Sequence, residues 1–547
     1  MVGTHEVRNQ PSPRGGHDEF AEDPALVEAV AREGAGWALP GLGALGRLVG
    51  DPDWQERGRL ANAHPPELLA YDRYGHRRDE VRYHPAYHEL MTEAVARGLA
   101  AAPWAPGAPA GAHVARAARY VLWPRVDSGT LCPSTMTYAV VPSLRAQPDL
   151  ARLWEPRAVT GVYDPAFGPA EGKAGATFGM AMTEKQGGSD VRANTTTAEP
   201  EGSGGPGAAH RLSGHKWFCS APMSDAFLAL AQAPGGLSCF LVPRWLPDGT
   251  RNPLRLERLK DKLGDRSNAS SEVEYDGTLG WMVGEEGRGV AVILQMVAHT
   301  RLDCVSGAAG WLRQGTVEAA WHAAGRRAFG APLARQPLMR AVLADLHLES
   351  EAATALALRL ARAFDRGGDD PREAAYRRLV TPIAKYWVCK RAPAHAAEAL
   401  ECLGGAGYVE ESGLPRLYRQ SPLNGIWEGS GNVQCLDVLR AMARSPESVE
   451  VVRDEIAEAA VGEPRLAAAL RRLDTDLAAP SEAGARGLVE RAALALQAAL
   501  LVAHAPAAVA DAFCASRLGG QGGLAFGALP DGIDDGAILA RALPVLA

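Results

Sequence analysis

A chain of 547 residues is longer than one ordinary hydrophobic core accommodates, so three or four domains are expected. Its 47% apolar and 22% charged content excludes a disordered or fibrous chain, and a net charge of −7 offers no global attraction to nucleic-acid phosphates. Mixed charge without an apolar run in the first thirty residues excludes a secretory signal. The eight cysteines form no C-x-x-C pair, so neither a zinc ribbon nor a disulfide scaffold is suggested, and no metal site is expected. From these features a cytoplasmic protein is expected.

In chain order, residues 23–143 carry helical periodicity, broken by a small-residue loop at 102–112, and residues 1–180 are taken as an N-terminal helical domain. The texture changes over 181–284, where short apolar runs (DAFLALAQA at 225–233, SCFLVPRWL at 238–246) are flanked by Gly, Pro and Asp. GSGGPG at 202–207 reads as a flexible connection between strands of a small all-β domain. Long helical periodicity returns over 285–443, with helices of about 20 residues or more, as in a bundle. The remainder, 444–547, reads as an extra helical domain ending in LGGQGGLAFG (518–527). Its most apolar stretch, 492–510, is interrupted by Gln497, His504 and Pro506, which argues against a membrane span. Strands confined to one block between helices predict an α+β multidomain protein.

Five segments carry candidate chemistry. In AMTEKQGGSDVRA (181–193), a strand end leads into Gly187, Gly188, Ser189 and Asp190, whose amides and hydroxyls suit an anionic or polar ligand, although an ordinary turn uses the same residues. GHKWFCSA (214–221) places two aromatics in a strand, a pattern also common in cores. ECLGGAGYVEE (401–411) has glycines that permit close backbone approach to a ligand, as helix termini also do. IWEGSGN (426–432) puts Glu428 beside Trp427 just before a helix, where partial desolvation would raise its basicity; a helix N-terminal acid is the plainer alternative. RRAFGAPL (326–333), followed by Gln336, offers Arg326 as a phosphate fork or as a surface cation.

Together, in this order, these segments resemble the signatures of the acyl-CoA dehydrogenase family, and the likeness extends over nearly the whole chain toward the family's alkylation-response branch. It is carried further by REGAGW (32–37), LANAHPPELL (60–69), RLERLKDKLGDRSNAS (255–270) and ESGLPRLYR (411–419). The resemblance implies an N-terminal helical domain, a middle β-barrel and a four-helix bundle, with FAD as cofactor. By that likeness Met182 and Thr183 contact the isoalloxazine, and Gly188 and Ser189 lie by the diphosphate or the substrate's CoA portion. Trp217 and Phe218 pack beside the flavin, and Ser220 bonds its N5. Arg326 and Gln336, with Glu401, Gly404 and Gly405, reach a neighbouring subunit's FAD, which implies a homotetramer. Trp427, Ser430 and Asn432 complete the cofactor site, and Glu428 is the base that removes the α-proton of an acyl thioester. Ala221 and Gln420 depart from the family pattern, which uses Asn and an acidic residue or Asn there.

The resemblance implies an acyl-CoA or related small substrate, with an electron-transfer flavoprotein or O₂ as acceptor. A competing reading makes the chain a DNA-binding protein that protects DNA or intercepts alkylating agents, with weak dehydrogenase activity. The charge of 441–547 weighs against it: nine Arg and no Lys stand against fourteen acidic residues. The basic run 251–266, with six basic and three acidic residues, reads as a solvated strand face.

Overall fold

The structure, a computed structural model, describes residues 4–546. Helices α1 (Pro24–Arg32), α2 (Leu39–Gly50) and α3 (Pro52–Ala63) come first, followed by the antiparallel pair β1 (Glu67–Tyr71) and β2 (Arg77–Arg82). Helices α4 (Pro85–Ala96), α5 (Ala112–Leu122), α6 (Leu131–Leu144) and α7 (Pro148–Ala158) lead into strands β3 (Phe178–Ala181), β4 (Thr197–Pro200), β5 (Ala209–Ser220), β6 (Ala226–Ala233), β7 (Gly236–Pro243), β8 (Leu254–Leu259) and β9 (Ser270–Val283). After them come α8 (Gly289–Gly325), the short pair β10 (Arg327–Ala328) and β11 (Ala331–Pro332), α9 (Pro337–Arg366), α10 (Pro371–Glu401), α11 (Leu414–Gln420) and α12 (Gly431–Arg444). The tail holds α13 (Glu447–Ala459), α14 (Pro464–Ala478), α15 (Ala485–His504), α16 (Ala507–Phe513) and α17 (Asp535–Ala542). The chain divides into two compact units, one of residues 53–112 and 126–303, the other of residues 1–52, 113–125 and 304–547.

The first of these units is built around the seven-stranded sheet. Strands β6, β4, β5, β9 and β7 pair in sequence, and β7 pairs back onto β6, which closes a barrel; β3 and β8 attach to β6 and β9. Closure removes the exposed edges an open sheet would present. Strand β6 is an almost unbroken apolar run because it is buried on both faces. The β1–β2 hairpin is a departure from the expected all-helical N-terminal region. Its second strand, RRDEVR, is too charged to show an apolar alternation. It is held by polar contacts instead: Asp79 accepts from the Leu256 amide at 2.9 Å, and Arg77 donates to the Leu256 carbonyl at 3.0 Å.

The other unit is helical. Asp370 caps α10 by accepting from the Arg372 and Glu373 amides, and Pro371 takes the first-turn position where no amide donor is needed. Helices α9 and α10 are 30 and 31 residues long and pack along one another. The tail folds into the same compact unit as these helices. Among the described residues α15 is the one helix long and apolar enough to cross a membrane, at mean hydropathy 1.3; 61% of that stretch is buried, and it packs on α9, α10 and α13.

Candidate functional site

In the β unit the expected residues gather where β5 runs past the segment after β3. The Trp217 amide donates to the Thr183 carbonyl at 2.8 Å, joining the two motifs. Register between β5 and β9 shifts between Lys216 and Cys219, a bulge that re-aims side chains. Phe218 is 47% exposed as a result, although strand aromatics usually lie in the core. Ser220 is half-buried, its hydroxyl 3.1 Å from that of Ser270. Met182 and Thr183 are half-buried, and Ser189 is exposed. Gly188 packs so close to Thr183 that a Cβ there would lie 2.4 Å from its hydroxyl. Lys260 stands 3.2 Å over the Trp217 ring, with Arg258 and Lys185 also above that ring. Arg258 and Lys260 share Glu272 as counter-ion, at 2.5 and 2.6 Å, so three cations around the ring stand against one carboxylate and leave an aromatic surface of net positive charge, suited to a flat anionic group.

Sequence reasoning missed what anchors this surface. Glu184 and Lys216 are a fully buried ion pair at 2.8 Å, and Glu184 also accepts from the amides of Thr195 and Thr196. Burial alone would push the Glu184 carboxyl up. The Lys216 ammonium and these donors prevail and hold it far below the ordinary range. The strand's alternation held the signal: His210, Leu212 and Lys216 occupy the inward positions of β5.

In the helical unit, Glu428 is half-buried and adopts φ +58°, a left-handed conformation rare for a residue with a Cβ. Lys385 of α10 donates to the carbonyls of Trp427 and Gly429, both at 2.6 Å. Gln434 of α12 donates to those of Glu428 and Gly429, at 3.1 and 2.8 Å. Neither residue was singled out from the sequence. The Trp427 indole N–H donates to Asn424 at 2.8 Å. Ser430 is exposed at the start of α12, and Asn432 accepts from Arg486 of the tail at 2.9 Å.

The remaining expected residues lie in the same unit. Arg326 donates to the Asn9 carbonyl at 2.6 Å, and Gln336, before α9, donates to the Ala328 carbonyl at 3.1 Å across the short β10–β11 pair. Phe329 at the tip of that pair is 97% exposed. Glu401, Gly404 and Gly405 are exposed at the end of α10, and a Cβ on either glycine would meet nothing within 4 Å. Within the β unit the exposed Phe218 beside Lys260 fits a flat, phosphate-bearing cofactor, and within the helical unit the open glycines leave room for the close approach of one. The fork of Arg326 is partly engaged by the chain itself.

Three segments match known families: residues 9–165 the "Adaptive response protein AidB N-terminal domain", 179–278 the "Acyl-CoA dehydrogenase, middle domain" and 287–443 the "Acyl-CoA dehydrogenase, C-terminal domain". The chain is 47% identical over 522 residues to the "Putative acyl-CoA dehydrogenase AidB" of Escherichia coli (strain K12); the match covers 95% of this chain and 96% of that one. It is 30% identical to acyl-CoA dehydrogenase family member 11 of Caenorhabditis elegans, over 78% of this chain and 71% of the relative. Among solved structures, Caenorhabditis elegans ACDH-11 in complex with C11-CoA superposes with TM-score 0.85 at 26% identity, covering 95% of this chain and 94% of that one.

Proposed function

Because the chain belongs to the acyl-CoA dehydrogenase family, we propose that it is an FAD-dependent oxidoreductase that removes hydrogen from the α and β carbons of an acyl thioester or a related small substrate. The observation that carries the reading is Glu428, a carboxylate held in a strained backbone conformation within the segment that matches the family's base. FAD supplies the hydride acceptor when bound. By the likeness to the family, the residues that would hold it are Met182, Thr183, Gly188, Ser189, Trp217, Phe218 and Ser220, together with Arg326, Gln336, Glu401, Gly404, Gly405, Trp427, Ser430 and Asn432, some of them serving a neighbouring subunit. Glu428 takes up the proton α to the thioester carbonyl from a half-buried position.

Purified protein should be yellow and elute as a tetramer. Anaerobic mixing with a straight-chain acyl-CoA series should bleach the flavin, and later addition of O₂ or an electron-transfer flavoprotein identifies the acceptor. Glu428→Gln keeps the size and hydrogen-bonding of the side chain but removes the base. It should retain FAD while reduction slows by about 10²-fold or more. A protein that takes up no FAD on reconstitution overturns the cofactor assignment, and unchanged reduction in Glu428→Gln overturns the base.

A further inference from the structure

We infer that Lys385 and Gln434 are positioning residues that fix the direction in which Glu428 presents its carboxylate; the inference rests on the reading of Glu428 as the base. Two peptide planes meet at the Glu428 Cα, one ending in the Trp427 carbonyl and the other in its own. Fixing both planes fixes the Cα–Cβ bond that carries the acid. Lys385 holds the first plane and Gln434 the second, and both also hold the next carbonyl, that of Gly429.

The clamp is costly, which separates it from ordinary loop closure. Lys385 is 1% exposed, and among the described residues it forms no ion pair, so its ammonium is compensated by carbonyl dipoles. A buried ammonium without a carboxylate is retained only where surrounding groups replace its lost hydration. Nor does helix electrostatics explain it. The cation sits just before the N-terminus of α12, where the macrodipole disfavours positive charge. Loop geometry alone would be met more cheaply by glycine at 428, as Gly429 does at φ +96°. A glutamate placed there against its backbone preference, with both flanking planes pinned by buried side chains, is arranged for its carboxylate. The clamp is also seated tightly: at Gly431 a Cβ would lie 3.3 Å from the Tyr386 ring and 3.4 Å from Lys390, which keeps the start of α12 close on α10.

The test compares holoenzyme of wild type, Lys385→Met, Glu428→Gln and the double variant by FAD content, thermal melting, hydrogen exchange and anaerobic reduction by the acyl-CoA that reduces wild type. Lys385→Met should keep FAD, speed exchange across 424–434, and slow reduction about 10- to 100-fold, the usual effect of misplacing a reacting group by about an ångström. In the Glu428→Gln background the same change should cost less than about twofold, because a positioning residue has nothing left to position. A full Lys385→Met loss in that background, or wild-type exchange across 424–434, overturns the inference. If Glu428→Gln reduces as fast as wild type, or no acyl-CoA reduces wild type, the base reading fails and exchange alone decides the clamp. Should Lys385→Met not fold, Gln434→Met is read by the same measurements, with about a 3- to 10-fold loss expected because neutral amide bonds are the weaker half.

Discussion

Lys216 shows how one inward-facing residue of a strand governs the surface on the strand's other side. Its ammonium meets Glu184 at 2.8 Å and the Leu230 carbonyl at 2.7 Å, and Glu184 in turn gathers the amides of Thr195 and Thr196. Lys216→Met would leave the Glu184 charge buried without its counter-ion, and such losses cost about 3–5 kcal/mol. The same variant should shed FAD, since the 183–189 segment loses its anchor. Melting and flavin titration check both, and an unchanged melting temperature would show the pair to be dispensable. The pH dependence has a definite sign. The Glu184 carboxyl is held down in the folded state, so its contribution is present above its ordinary value of 4.5 and lost as pH falls below it. Lys216→Met should remove that acid-limb contribution. The aromatic pair beside Lys216 was legible as a strand segment, but the exposure of Phe218 was not, because a bulge belongs to the pairing of two strands and not to one strand's own pattern.

Among elements, α10 carries more than its periodicity announces, supplying Lys385 to the Glu428 loop and His395 to the core. His395 is fully buried, with Nε2 3.1 Å from the Leu346 carbonyl, its ring edge-on to Phe526, and Glu349 and Arg391 as the charged groups facing it. Burial depresses its pKa from 6.5 to about 4. The unfolded chain therefore binds this proton first, and stability is lost as pH falls from about 6.5 toward 4, by about 3 kcal/mol at the lower end. Chemical denaturation of wild type and His395→Gln across that range isolates the effect. Equal slopes in the two proteins would show that the ring is not the group responsible. Element type was readable wherever apolar spacing dominated, as in α8 to α10 and the run that became β6. It was unreadable in β1 and β2, where charge contacts to β8 replace an apolar face. The apolar α15 was ambiguous from composition alone, and burial against six neighbouring helices, α9, α10, α12, α13, α14 and α16, identifies it as a core helix.

At the scale of the whole molecule the question is whether the tail binds duplex DNA, and its charges answer through their partners as well as their number. The balance of −5 over 441–547 already opposes a phosphate backbone. The structure further pairs five of the nine arginines there with carboxylates. Arg453 pairs with Asp474, Arg491 with Asp476, and Arg465 with Glu463 and Asp511. Arg517 reaches Asp345 and Glu349 on α9, and Arg541 joins Glu28 and Glu351. Arg472 donates to the Leu518 carbonyl and Arg486 to Asn432. An arginine already facing a carboxylate releases few counterions when a phosphate approaches, because its charge is neutralised before binding. In the sequence of the tail the visible arginine cluster is Arg471 and Arg472 with Arg465 nearby, and the pairing of Arg465 with Glu463 and Asp511 reduces it to the first two, both exposed. We expect the holoprotein, with every tail of its assembly present, to bind a labelled duplex of about 30 base pairs no more tightly than the micromolar non-specific range at physiological salt. An anisotropy titration over several salt concentrations measures both affinity and the number of phosphates engaged. Sub-micromolar binding with a steep salt slope, lost in Arg471→Ala/Arg472→Ala, would show that these two exposed guanidinium groups outweigh the acidic tail around them.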